Sequence, residues 1–291
     1  MLSLKSTNRS RATQFRRKKP TTLKTGPVVW IDFTDVRTLY NDAGNTEAGN
    51  GESIYRVSNK AFDKRFAKAS PNAIGKYCEN STAGNRPVLR LRSKGFAAQF
   101  DGTNDYLQAS KSQGNVATNK LSDTTLHGTN STIFVVLKSS DTDPAGQYPF
   151  GFGGNESSSN NDPFNLQYAL TDDQLNWYTG DRSDKTGDVF TDSGVTNTQN
   201  VEMWTIRLTT NGACSMYRNG NTSDGTSTGN SKTMDYDLSG NYNGNLFNIG
   251  CGGIGGGFFD GDIYEIIVYD EVLHAFSCAV LDRQLKQKYN L

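Results

Sequence analysis

No apolar run in the 291 residues approaches the roughly 18 needed to cross a bilayer as a helix. Histidine is nearly missing. His127 and His274 are the only two, and neither sits in a Ser/His/Asp or Cys/His arrangement from which a proton relay could be built. Cysteine is scarce as well: Cys78, Cys214, Cys251 and Cys278 form no C-x-x-C pair. That spacing argues against a zinc site, and four thiols in so long a chain are no disulfide scaffold, so reduced, buried cysteines are expected. The opening stretch MLSLKSTNRSRATQFRRKKP has no apolar segment, so no secretory signal peptide is expected.

Acid is absent from residues 1–27, which hold eight basic side chains: Lys5, Arg9, Arg11, Arg16, Arg17, Lys18, Lys19 and Lys24. The chain is neutral overall, so the remaining residues carry 22 basic against 30 acidic side chains, a net of −8. A polar, cationic stretch of this kind cannot bury enough apolar surface to fold alone. It reads as an extended arm ahead of an acidic body that starts at residue 28.

The body is rich in what joins short strands. Glycine numbers 30, and Asn, Ser and Thr fill the gaps between apolar runs in which 11% of all residues are aromatic. Strands are expected at Val28–Phe33, Ile54–Val57, Val88–Leu91, Thr132–Lys138, Asn165–Leu170, Leu175–Tyr178, Met203–Leu208, Cys214–Arg218, Leu246–Ile249 and Asp262–Tyr269. Phe96–Leu107 reads as a strand, a tight turn and the start of another strand, and Asn211-Gly212 as the turn of a hairpin. The segments 139–164 and 219–245 read as long loops. Only the end looks helical: Leu273, Phe276, Val280, Leu281, Leu285 and Tyr289 recur mostly at spacings of three and four, with Asp270 or Glu271 as the expected cap. In DIYEIIVY, Ile263, Ile266 and Val268 cannot share a face under strict alternation, so that strand is buried on both faces or bulged. The fold class is all-β: one antiparallel sandwich of jelly-roll type with a short C-terminal helix.

Three segments in order carry a family likeness. Val29-Trp30-Ile31-Asp32 is similar to an opening "LWLDA" strand, Phe100-Asp101-Gly102-Thr103-Asn104-Asp105-Tyr106-Leu107 to an "FDGxNDYL" turn, and Phe259–Asp270 to "FxGDIAEIIIYD" followed by a helix. Together they resemble the concanavalin A-like lectin/glucanase superfamily, specifically its laminin-G-like branch in bacterial and phage proteins. Val57-Ser58-Asn59-Lys60 and Arg86-Pro87 fall where that branch has "WxDKSGN" and "RP", although Tyr55-Arg56-Val57 stands in place of the tryptophan. The resemblance implies two packed, curved sheets over residues 28–291. It fixes no function, because lectins, glucanases and structural modules share the fold.

The acids Asp260, Asp262 and Glu265 resemble the E-x-D-x-x-E strand of the glucanases, in which two carboxylates flank a glycosidic bond. Glu265 would face away from Asp262 unless a bulge intervened, and solvent-facing strand residues explain the pattern equally. Gly252–Gly257 lacks the following helix and Lys-Ser/Thr pair of a phosphate loop. No cofactor is expected, although the turns Asp101–Asp105, Asp141–Asp143 and Asp181–Asp184 offer oxygens to calcium. Tyr148, Phe150, Trp177, Tyr178 and Tyr242 are candidates for a platform that stacks on sugar rings.

The expected function is therefore non-enzymatic: a virion structural protein on the particle surface, either capsid decoration or a fibre or spike head. Its arm, through Arg9, Arg11, Arg16, Arg17, Lys18 and Lys19, would hold other virion proteins or copies of itself, and its sandwich would meet host-surface glycans. Nucleic-acid phosphates are a further option for the arm, with only Phe15 available for base stacking. The alternative is a free carbohydrate-binding module, and the third reading a glycoside hydrolase of glucanase type.

Overall fold

The computed structural model describes residues 26–62, 75–109, 131–140, 146–152, 165–169, 174–179, 188–193, 199–208, 214–220, 247–252 and 257–291. The basic arm up to residue 25, the Asn211-Gly212 turn and the segment 221–246 lie outside these residues. In chain order the strands are β1 (Val29–Asp32), β2 (Leu39–Tyr40), β3 (Arg56–Ser58), β4 (Tyr77–Glu79), β5 (Val88–Arg92), β6 (Gly95–Asp101), β7 (Leu107–Ala109) and β8 (Ser131–Ser139). There follow β9 (Gln147–Phe152), β10 (Asn165–Ala169), β11 (Gln174–Thr179), β12 (Asp188–Ser193), β13 (Glu202–Leu208), β14 (Cys214–Arg218), β15 (Phe247–Ile249) and β16 (Asp260–Tyr269), then the helix α1 (Ala275–Tyr289).

Two antiparallel sheets result. One has seven strands in the order β14-β13-β8-β16-β6-β5, with β1 also on β16; the other has nine, in the order β12-β11-β10-β9-β15-β7-β4-β3-β2. The FDGTNDYL turn therefore does not close a hairpin: it carries the chain from β6 in one sheet to β7 in the other. The stretch 139–164, expected to be loop, contributes β9. Between the sheets lies a core that includes Ile31, Phe100, Val135, Phe150, Trp204, Phe247 and Ile266.

β16 organises the seven-stranded sheet. One flank pairs with β8 over nearly its whole length, from Gly261↔Ser139 to Tyr269↔Thr132. The other flank is shared end to end: Asp260–Ile263 face β6, and Glu265–Val268 face β1. The register to β8 slips between Ile263 and Glu265, a bulge that places Tyr264 opposite no single partner. Ile263, Ile266 and Val268 thereby join the core between the sheets, whereas Tyr264, Ile267 and Tyr269 enter a second core on the opposite face. Both expectations for this strand hold, since it is bulged and it is buried on both faces. β8 must be equally apolar because it lies beside β16, with Ile133, Val135 and Leu137 facing one core and Phe134 and Val136 the other.

The second core is roofed by α1 through Leu281, Leu285 and Tyr289. Neither Asp270 nor Glu271 caps this helix. The cap is His274, whose Nδ1 accepts the Phe276 N–H at 3.2 Å, because the two acids lie beyond reach of the first turn. Thr132 instead fixes the connection, donating to the Glu271 carbonyl at 3.0 Å and accepting the Leu273 N–H at 2.9 Å. Asn290 ends the helix in the left-handed region at φ 51°.

Candidate binding surface and the acidic strand

The acidic strand lies on the helix side of the molecule. Its bulge turns Glu265 toward the same side as Tyr264, where three donors close on it: Trp30 Nε1 at 2.9 Å, Lys288 Nζ at 2.9 Å and the Tyr289 hydroxyl at 2.7 Å. Glu265 is 1% exposed, so neither a sugar nor a water reaches it in this state. Asp262 accepts from Arg92 Nη2 at 2.9 Å. Solvent-facing strand residues, the simpler reading of the two acids, are not what the structure contains either. Both acids are buried and engaged by partners on neighbouring elements.

β1 pairs Asp32 directly opposite Glu265, an arrangement of like charges that repels unless cations intervene. Lys288 intervenes, lying 2.9 Å from Asp32 Oδ1 as well as from Glu265. Lys60 bridges Asp32 at 3.0 Å and Asp35 at 2.9 Å, and Arg37 holds Asp35 at 2.7 Å. Burial pushes the Asp35 carboxyl up, but the hydrogen bonds from Arg37 and Lys60 outweigh it and hold its pKa below the ordinary value. Burial likewise pushes Lys60 down, and the neighbouring charges of Asp32 and Asp35 outweigh it and raise its pKa. Three acids and three bases thus form a neutral network that ties the first strand, the last strand and the helix together.

Of the proposed platform residues, Phe150 is corrected. It is fully buried, its ring centroid 6.1 Å from that of Phe247, because β9 lies within the nine-stranded sheet rather than in a loop. Tyr148 is half-buried, and its backbone N–H donates to the Gly257 carbonyl at 2.8 Å. Trp177 and Tyr178 belong to β11, in register with Leu166 and Asn165, and their side chains lie outside the described residues. Tyr242 lies outside them too, as do Arg9, Arg11, Arg16, Arg17, Lys18 and Lys19.

The structure gathers a different set. On β3 and β4, Val57 and Cys78 face the core, so alternation sends Arg56, Tyr77 and Glu79 to the opposite face of the nine-stranded sheet. The Arg56 guanidinium lies over two rings, 4.2 Å from the Tyr77 centroid and 5.2 Å from that of Tyr55. Arg86 lies over Tyr55 at 4.9 Å. Tyr77, Arg56, Tyr55 and Arg86 thus form a column of alternating rings and cations.

Both guanidinium groups are pinned. Arg56 donates to Glu79 Oε2 at 3.0 and 2.8 Å and to Asn45 Oδ1 at 3.0 Å. Arg86 donates to the carbonyls of Asn80 and Ser81, each at 2.8 Å. Asn80 anchors this corner with all of its side-chain capacity, receiving the Thr82 N–H and donating to the carbonyls of Asn85 and Tyr106. The column is half-exposed, and the hydroxyls of Tyr55 and Tyr77 have no partner among the described residues. From Arg56 a polar row runs across the strands through Glu79 and Gln108 to Asn248, whose Oδ1 accepts from Gln108 at 3.2 Å.

The column was hard to find in the sequence because its members span 32 positions and occupy two strands and two irregular connections. The one available signal was the departure at Tyr55-Arg56, where a Tyr-Arg pair replaces the tryptophan of the resembled motif.

No family model matches the chain, and no curated protein does. Among solved structures, a sialidase of Trypanosoma rangeli in complex with 2,3-difluorosialic acid aligns at TM-score 0.50 and 12% identity, over 92% of this chain and 34% of that one. A carbohydrate-binding module, CBM40 of the Ruminococcus gnavus IT-sialidase, aligns at TM-score 0.48 and 15% identity, over 64% of this chain and 96% of that one. The T. rangeli alignment supports a shared β-sandwich fold, and this chain spans about a third of that protein.

Proposed function

We propose that this chain is a non-catalytic glycan-binding module and that the Tyr77–Arg56–Tyr55–Arg86 column is where it meets sugar. The observation that carries the reading is the column itself: two half-buried tyrosines whose hydroxyls have no partner among the described residues, ordered by two pinned arginines, on the face of the nine-stranded sheet opposite the core. Tyrosine presents large contact area at little conformational cost, and here the arginines hold the rings in place before any ligand arrives. The hydroxyls, the guanidinium edges and Gln108 supply directional polar contacts of the kind that fix a sugar's orientation.

The test is a glycan array with the full chain, followed by calorimetric titration of any hit against wild type and Tyr77→Ala. The reading expects a hit whose affinity falls at least about tenfold in the variant, a loss of about 1.4 kcal/mol, with the unfolding midpoint preserved. Absence of any glycan ligand, or a hit indifferent to Tyr77, would overturn it.

A second reading concerns where the module works. The acid-free, basic composition of residues 1–27 favours a tether that anchors the sandwich to an assembly, and the laminin-G-like motifs favour a phage particle as that assembly. Mass spectrometry of purified particles for stoichiometric copies of this chain tests it, and so does loss of incorporation when residues 1–24 are deleted.

A further inference from the structure

Beyond Tyr289, whose ring centroid lies 5.7 Å from that of Tyr264, the helix side of the seven-stranded sheet turns polar and cationic. Leu89, Ala98, Leu137 and Ile263 face the core between the sheets, so alternation sends Arg90, Arg92, Gln99, Lys138 and Asp262 to the helix side. Register brings them together. Asp262 stands opposite Gln99 on one flank and opposite Lys138 on the other. Both arginines converge on that row: Arg90 Nε donates to Gln99 Oε1 at 3.0 Å, and Arg92 Nη2 to Asp262 Oδ1 at 2.9 Å. Three cations and one carboxylate give this cluster a net of +2, on a body whose net is −8.

What the cluster leaves unused is nearly all donor. Arg92 Nε is buried without a partner, while the side chain as a whole is 34% exposed. Tyr264 is 1% exposed, and its hydroxyl has no hydrogen-bond partner among the described residues. Burial lifts that hydroxyl to about 12, with the Asp262 charge adding to the rise and Arg92 opposing it, so it lies in the field of the same pair. Half-buried Lys138 and Arg90 form no ion pair among the described residues. The spare acceptor is Asp262 Oδ2. Donors left unmet in a partly buried cluster are costly unless an acceptor-rich group completes them. The next acids along these strands, Asp101 and Asp260, lie two residues away, and Asp101 Oδ1 already accepts the N–H groups of Thr103, Asn104 and Asp105.

We propose that this cluster binds a phosphate group, with Arg90, Arg92, Lys138 and the Tyr264 hydroxyl donating to its oxygens and Asp262 Oδ2 accepting its remaining proton. Charge-assisted donors suit a compact oxyanion. The single carboxylate selects among such anions: hydrogen phosphate has a proton to give it, whereas sulfate has none and is repelled. The site lies on the seven-stranded sheet and the tyrosine–arginine column on the other, so the proposal is independent of glycan binding.

The experiment titrates the full chain with inorganic phosphate, and in parallel with sulfate, at constant ionic strength set by chloride, and follows heat and backbone amide shifts. Saturable phosphate binding, tighter than that of sulfate, is expected, with the largest shifts at Arg90, Arg92, Lys138 and Tyr264. Arg90→Gln and Lys138→Gln leave Asp262 with Arg92 and should each weaken phosphate binding at least about tenfold, the loss of one hydrogen bond to a charged group. Asp262→Asn, which can still accept from Arg92, should erase the preference for phosphate over sulfate. No saturable phosphate binding by folded wild type, tighter binding of sulfate, or undiminished binding in both cation variants would overturn the proposal.

Discussion

Replacing Lys288 with Met should destabilise the protein by about 3 kcal/mol. The substitution keeps most of the aliphatic stem and removes only the ammonium, which lies 2.9 Å from both Asp32 and Glu265. These two carboxylates are cross-strand partners with side-chain exposures of 7% and 1%. Breaking a buried ion pair typically costs about 3–5 kcal/mol, because a charge is left uncompensated. The lower end applies here: Lys60 still holds Asp32, while Trp30 and Tyr289 still hold Glu265. About 3 kcal/mol corresponds to a fall in Tm of roughly 6–12 °C for a domain of this size. Urea denaturation at neutral pH measures it, and added salt should change the difference little, since buried pairs are poorly screened. Glu265→Gln combined with Lys288→Met should cost less than the two single changes added together, because the double variant removes one repelling charge along with its partner. A loss below about 0.5 kcal/mol for Lys288→Met, the scale of an exposed pair, would show that the network does not hold the strand ends together.

Three further outcomes follow from the same physics. Ile266→Ala, a fully buried position between the sheets, should cost on the order of 2–5 kcal/mol by denaturant midpoint, and a midpoint within error of wild type would make β16 peripheral. Phe150→Ala should likewise lose on the order of 3–5 kcal/mol while leaving any glycan affinity intact, which separates a core ring from a binding ring. The pH profile should have two opposing parts. Burial and the Asp101 charge raise Asp105 to about 6, so its contribution to stability falls as pH rises from about 4 through 6, and Asp105→Asn should remove that fall. Asp35, held below its ordinary pKa, contributes stability above about pH 4 that is lost as pH falls through its lowered value, and Asp35→Asn should blunt the acid limb of an unfolding curve.

Long, doubly buried strands were legible in the sequence because their composition leaves no alternative. Thr132–Lys138 and Asp262–Tyr269 are apolar at both parities, and both proved central, at Ser131–Ser139 and Asp260–Tyr269. The helix was legible from its spacing, but its cap was not, since His274 caps through a ring nitrogen in a position where sequence rules favour Ser, Thr, Asp or Asn. Short strands of the nine-stranded sheet, such as Leu39–Tyr40 and Tyr77–Glu79, were missed because two or three residues give no period to read. Phe150 was misplaced for a related reason: flanking glycine and proline made a buried strand look like a loop. The column escaped because cation–ring contacts join residues far apart in sequence and leave no local pattern.

The central claim is that glycan binding occurs at the Tyr77–Arg56–Tyr55–Arg86 column. Backbone amide resonances of the labelled protein, followed during titration with the strongest glycan found on an array, test it directly. The account predicts the largest shifts at Tyr55, Arg56, Tyr77 and the Asn80–Arg86 corner, with β16 and the helix unmoved. Shifts confined to the region around β10 to β12, or to the arm, with the column silent, would contradict it.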